Sequence, residues 1–346
     1  MTTHRNAYTQ VHYRWDVDKT YIQTDFDSTR ALIRAWRQTP EEKRNIPGAP
    51  ALLRELLQGK GEEQQVTFIS GSPQQMRSVL MQKFALDGIQ PDRFILKPNL
   101  SNILKLRLRD VHNQIGYKLR ALISSRSLYQ SEYLFGDDSE QDGLIYSLYG
   151  DLLEGRVVVD ELQEFLQLAG LYDAEVERLV QAYLAMTPEQ GRVERVFIHL
   201  DRRSPVSRFA AYGWRVVPVY NYFQAGVVLF DMGMLDARAL SHIVDAMELN
   251  NYTPTRLANS LQDLVRRGYA TQDLARRVSS GLQALGRNDS AVFQRAFEAA
   301  LRGLPETTPV QELSRELPDY RALFEAERYR RSPKTITGRE WLTESS

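Results

Sequence analysis

The chain has 346 residues, 42% of them hydrophobic and 25% charged, enough to bury the core of one large or two modest globular domains without staples. Its formal net charge is zero, so no overall basic balance draws it to nucleic acid or to an acidic membrane surface. It contains no cysteine, which excludes disulfides, thiolate metal sites and a cysteine nucleophile.

Residues Met1 to Asp18 are polar and mixed in charge, without the apolar centre of a signal peptide. No apolar run approaches the roughly 20 residues that span a bilayer. The expectation is a cytoplasmic protein with no transmembrane segment. A first strand is expected at Tyr21 to Thr24, running into Asp25-Phe26-Asp27-Ser28-Thr29. Strand side chains alternate, so Asp25 and Asp27 would share a face if the strand continued. Two carboxylates at a strand end suit Mg2+, which takes a few oxygen ligands and keeps several waters. They also suit phosphoryl chemistry in which one Asp attacks and the other moves protons. A helical stretch follows from Ala31 to Arg37, and another from Pro50 to Gln58.

The next strand, Val66 to Ser70, leads into Gly71-Ser72-Pro73. Ser70 would set a hydroxyl beside the carboxylates, and Gly71 lets backbone amides approach an anion. Ser72, with Pro73 next and Gln75 three residues on, has the form of a capping box for a helix over Gln74 to Asp87. That helix start beside Ser70 would favour a phosphate group. After a strand at Arg93 to Leu96, the amphipathic stretch Ile115 to Ser124 carries Lys118, a cation that could neutralise phosphate and carboxylates. The strand Tyr133 to Phe135 runs into Gly136-Asp137-Asp138-Ser139-Glu140-Gln141-Asp142. Clustered carboxylates repel unless a cation sits among them or some are protonated.

Glu161 to Met186 is strongly helical and reads as an insertion, at about residues 155–190, before strands at Val193 to Leu200 and Arg215 to Tyr220. The loop Asp201 to Arg208 carries Arg202 and Arg203, whose guanidinium forks suit an anionic substrate. His12, His112, His199 and His242 lack metal-ligand spacing and read as structural or surface residues. The aromatic run Tyr212 to Phe223 reads as core. Leu235 to Leu304 resolves into several helices, with Thr253-Pro254 as cap and first turn of one of them. The charged tail after Pro318 is expected to be partly disordered. Strands alternating with helices imply an α/β, doubly wound parallel sheet, with ligands beyond the strands' carboxyl ends.

The order Asp-x-Asp-x-Thr, strand-Ser, Lys, Gly-Asp-Asp-x-x-x-Asp resembles the haloacid dehalogenase superfamily of phosphatases. Over about residues 18 to 225 it resembles, more narrowly, the App1-type phosphatidate phosphatase catalytic domain. Gly136 to Tyr146 keeps that family's Gly, both outer Asp residues and the Ile145-Tyr146 ending, and Ser70 to Pro73 matches its Ser-x-Ser-Pro segment. The resemblance implies Asp25 as nucleophile, Asp27 as general acid and base, Ser70 and Lys118 on the phosphoryl group, and Mg2+ held by Asp25, Asp27, Asp137 and Asp142. Asp138 stands where the family has Ser, Ser28 where it has Asp, and Arg30 where it has an apolar residue.

The stretches Arg30 to Gln65 and Lys97 to Ile115 are too short for a large cap domain. An open site then suits a bulky phosphomonoester, such as a phosphatidate-like lipid or a macromolecule; nucleic acid is not expected as a partner. The resulting division is a phosphatase domain over 1–234, a helical region over 235–318 and a charged tail over 319–346. The alternative is a catalytically silent scaffold that binds a protein partner through its carboxyl-terminal helices.

Overall fold

The computed structural model describes residues 10–24, 38–59, 63–97, 110–126, 130–186, 191–285, 290–302 and 316–331. Its centre is a six-stranded sheet in the order β3-β2-β1-β4-β5-β6. The strands are β1 (Gln10–Asp16), β2 (Glu63–Pro73), β3 (Arg93–Lys97), β4 (Gln130–Asp137), β5 (Gly191–His199) and β6 (Val216–Val219). Every pairing is parallel. The crossovers therefore need helices, and these cover both faces.

One face carries α1 (Ala49–Leu57) and α2 (Arg77–Leu86). The other carries α3 (Asp110–Ser125), α4 (Asp142–Leu153), α5 (Val159–Leu168) and α6 (Asp173–Leu184). The stretch expected as one helical insertion is thus a pair, α5 and α6, broken at Gly170 with φ 79°. Beyond β6 come α7 (Tyr222–Asp231), α8 (Ala237–Glu248), α9 (Pro254–Arg266), α10 (Gln272–Ala284) and α11 (Ser290–Leu301). These share one continuous core with Trp15, Phe68 and Tyr222 on the first face. Thr253 caps α9 as expected, its hydroxyl accepting from the Arg256 N–H at 3.3 Å. A last helix, α12 (Tyr320–Arg331), opens the charged tail, and the final residues, expected to be disordered, lie outside the described ones. Its buried Tyr320 and Phe324 meet the Phe165 ring of α5 at 6.3 and 6.0 Å. No helix among the described residues is long and apolar enough to cross a membrane.

The first strand corrects the sequence expectation. It is Gln10–Asp16; of Tyr21 to Thr24, expected as a strand, Tyr21 lies in a turn and Ile22 forms only isolated bridges, to Asp18 and Asn45. Within β1, Val11, Tyr13 and Trp15 point into the first core, with Trp15 stacked on Phe135 at 4.0 Å. His12, Arg14 and Asp16 alternate with them and are all buried. Buried polar groups persist only when partnered. His12 lies between Gln130 (3.0 Å) and Thr67 (2.8 Å), and burial pushes its pKa down to about 2, so the ring is neutral. Arg14 donates to Glu132 at 2.5 and 3.0 Å and to Ser125 at 2.6 Å.

Glu132→Ala should therefore leave the Arg14 charge buried and unpaired, costing about 3–5 kcal/mol. Urea unfolding followed by circular dichroism measures this. A loss below 1 kcal/mol would show that the pair contributes little to holding the sheet.

Candidate active site

The carboxyl end of β1 delivers Asp16 to the middle of the sheet's upper edge, and the chain then turns sharply. Ile22 and Tyr21 both donate to the Val17 carbonyl at 2.9 Å, and Lys19 takes a left-handed φ of 62°. Neighbouring elements hold this turn. His199, at the end of β5, bonds the Lys19 carbonyl through Nδ1 at 2.9 Å, and Tyr222 donates to the Thr20 carbonyl at 2.6 Å. Asp18 emerges half-buried on the turn.

β2 answers from one side. Its register against β3 slips between Ser70 and Pro73, and this irregularity turns two hydroxyls toward Asp18. Ser70 Oγ and Ser72 Oγ donate to Asp18 Oδ2 at 3.2 and 3.0 Å. Ser72 is accordingly not the helix cap that its spacing suggests, and neither the short 3-10 turn Gln74–Met76 nor α2 has a side-chain cap. Among the described residues, a Cβ added at Gly71 would meet only Gln114 Nε2, at an ordinary contact distance of 3.9 Å.

α3 and β4 answer from the other side. Lys118, fully buried, places its ammonium 2.9 Å from Asp16, 2.5 Å from Asp142 and 2.7 Å from Glu140. Asp142 lies at the start of α4 and folds back over the strand end, accepting from the Asp137 N–H at 3.2 Å. Only glycine fits beneath it, since a Cβ at Gly136 would lie 2.6 Å from the Asp142 Cβ. Asp137 Oδ1 accepts from the Ser139 N–H. Asp138 turns away: its two oxygens accept the N–H groups of Arg202 and Ser204 at 2.8 and 2.9 Å.

Residues 15–158 match the family model of the phosphatidate phosphatase APP1 catalytic domain. That stretch is similar to a phosphatase, a hydrolase of phosphoric esters. It begins at Trp15, just before Asp16, and takes in Ser70, Lys118 and Asp137 to Asp142. No curated protein and no solved structure matches the chain.

The structure thus brings together Ser70, Lys118, Asp137 and Asp142, with Gly71 at the edge of the group. Asp25 and Asp27 lie outside the described residues. The carboxylates that meet the other groups are Asp16 and Asp18, which the sequence reading passed over. Asp16-Val17-Asp18-Lys19-Thr20 itself has the form Asp-x-Asp-x-Thr, so the signal was present. Glu140 was likewise not singled out. Arg202 and Arg203 sit on the exposed loop after β5, Arg203 at φ 54°.

Asp16, Glu140 and Asp142 each present an oxygen within 4.8 Å of the others, close enough to share a metal ion. Lys118 already accounts for that convergence, because its ammonium contacts all three. A cation is better matched by two other atoms. Asp16 Oδ2 and Asp137 Oδ2 are buried and, among the described residues, have no hydrogen-bond partner. A buried anionic oxygen without a partner is costly, and hard oxygen donors suit Mg2+. The donor set therefore fits a divalent metal ion.

The charge balance agrees. Burial raises the Asp16 pKa well above its ordinary value; Lys118 opposes this, while Asp142, Glu140 and Asp137 add to it. Burial likewise raises Asp137, with Asp142 and Glu140 adding. It raises Asp142 and Asp18 as well. For Lys118 burial disfavours the ammonium, but Asp142, Asp16 and Glu140 more than offset this and its pKa lies well above the usual lysine value.

An acid with a raised folded pKa binds more protons folded than unfolded, so its contribution favours folding at low pH and is lost as pH rises. The melting temperature of the metal-free protein should therefore fall as pH climbs from about 4 through the raised folded pKa values of these acids, starting from an unfolded value of 3.8. Millimolar Mg2+ should reverse the fall at neutral pH. Asp137→Asn should flatten both responses, and differential scanning calorimetry reads all three. A pH-independent melting temperature unmoved by Mg2+ would remove the cation from the site.

Proposed function

We propose that the chain is a Mg2+-dependent phosphatase of the haloacid dehalogenase type, which hydrolyses a phosphomonoester through an aspartyl-phosphate on Asp16. The observation that carries this reading is the meeting of Asp16 and Asp18 with Ser70 and Lys118 at the carboxyl end of the central strand. Phosphoryl transfer asks for positioning and charge neutralisation above all, and these residues supply both. Asp16 and Asp137 would hold the metal ion, which when bound offsets the repulsion between a carboxylate and a phosphate ester.

In the first step an Asp16 carboxylate oxygen bonds to phosphorus as the phosphorus–oxygen bond to the leaving group breaks. Asp18 gives its proton to that leaving oxygen, so that no free alkoxide forms. Its pKa is raised, first by burial and then by Glu140, which is the direction a proton donor needs. In the second step a water attacks the phosphoryl group, Asp18 takes the water's proton, and phosphate leaves as Asp16 is restored. Lys118 fixes the Asp16 carboxylate. Ser70 and Ser72 fix that of Asp18, and Gly71, with no side chain, lets backbone amides approach the phosphoryl oxygens. The substrate class is a bulky phosphomonoester, with phosphatidate as the lipid example that the family's name suggests.

Turnover of an aryl phosphate with and without Mg2+ tests the reading. Asp16→Asn should reduce it to background, because an amide is a poor nucleophile. Asp18→Asn should lower kcat by about 10²–10⁴ through loss of acid–base catalysis. Asp25→Asn should keep activity close to wild type. The opposite pattern, with Asp25→Asn inactive and Asp16→Asn active, would move the nucleophile to Asp25.

A further inference from the structure

Beside Asp138 and Ser139 a cavity of about 510 Å3 opens between the loop after β5 and helix α12. Arg202, Arg208 and Arg330 line it, together with Asp138, Ser204 and Glu327. Both acids are engaged. Asp138 faces the loop and is bonded by backbone N–H groups. Glu327 is buried and accepts from Arg208 Nε at 2.8 Å and from the Tyr212 hydroxyl at 2.5 Å. Arg208 is locked further by its Nη1 bond to Ser204 Oγ at 3.0 Å. Arg330 reaches Glu327 only at 3.4 Å, and among the described residues Arg202 makes no ion pair.

Two of the three guanidinium groups thus share the Glu327 carboxylate, while the second carboxylate of the cavity, Asp138, is taken up by backbone N–H groups. The cavity walls are fixed before any ligand arrives: Asp138 pins the loop, and Glu327 clamps α12 onto Arg208 and Tyr212. Guanidinium forks match phosphate and carboxylate oxygens in bidentate geometry.

We propose that this cavity is a second anion subsite, which binds a phosphate or carboxylate group other than the phosphoryl group being cleaved. The substrate class narrows to phosphomonoesters presented with a second negative group. That group sits either on the same molecule or on a neighbouring headgroup of a lipid surface. The inference rests on the phosphatase reading of Asp16 and Asp18. It also gives α12, which lies outside the stretch similar to the phosphatase family, a part in substrate choice.

Steady-state kinetics on two soluble esters and two vesicle preparations test the proposal. The esters are phenyl phosphate and the same ester bearing a ring carboxylate. The vesicles carry phosphatidate in zwitterionic or in anionic background lipid. The wild type should show a lower KM for the carboxylated ester, for phosphatidate in the anionic background, or for both. The soluble pair reports a group on the same molecule, and the vesicle pair a neighbouring headgroup.

Arg202→Ala and Arg330→Ala, both at exposed positions, should each move the affected KM ratio toward one by about tenfold. Arg330→Lys, which keeps the charge and loses the fork, should fall between. A ratio near one in the wild type on both pairs, or a ratio that neither alanine variant moves, overturns the subsite while leaving the phosphatase reading intact. Absence of wild-type turnover on every substrate overturns both.

Discussion

The contact on which the rest depends is the buried ammonium of Lys118 among the carboxylates of Asp16, Glu140 and Asp142. Each of these groups alone would be expensive to bury, and together they are tolerable only because the lysine is surrounded by acceptors at hydrogen-bond distance. The arrangement fixes three elements at once. β1 supplies Asp16, α3 supplies the lysine, and the start of α4 supplies Asp142, which also closes over Gly136. Among the described residues it leaves one oxygen on Asp16 and one on Asp137 without a hydrogen-bond partner, a donor set that fits a cation.

The same logic runs down the strand. β1 lies in the middle of the sheet, yet one of its faces carries His12, Arg14 and Asp16. Each finds its partner on an adjacent strand or helix: Gln130 and Thr67, Glu132 and Ser125, then Lys118. This polar column leads to the candidate active site from below, while the opposite face, with Trp15 stacked on Phe135, anchors the strand in an aromatic core. The strand is therefore held in register by directional contacts on one face and by packing on the other. Such a frame suits a site where a shift of one residue would exchange Asp16 for Trp15 or Val17.

Strands β2 to β6 were legible in the sequence because they read as short apolar or alternating runs between turn signals. So were Ser70, Asp137 and Asp142, which end or follow those runs, and Lys118 in an amphipathic helix between two of them. β1 was not, because half of its residues are charged or polar, and a buried strand of a parallel sheet is expected to be apolar throughout. Val11, Tyr13 and Trp15 alternate with His12, Arg14 and Asp16, and period two rather than apolar content was the signal to follow. Ser72 has the spacing of a helix cap, but its hydroxyl goes to Asp18 from a strand irregularity that spacing alone does not encode. Asp138 reads as one more acid near the metal, whereas it bonds the loop after β5, more than 60 residues away in the chain. Contacts of that range depend on the sheet order.

The central claim is that Asp16 becomes covalently phosphorylated. Mass spectrometry of protein quenched in acid during turnover of a phosphomonoester, with and without borohydride reduction of the acyl phosphate, tests it most directly. The account predicts one phosphoryl group, and after reduction one homoserine, at Asp16. Modification at Asp25 or Asp27, or turnover without any covalent phosphoryl group, would contradict it.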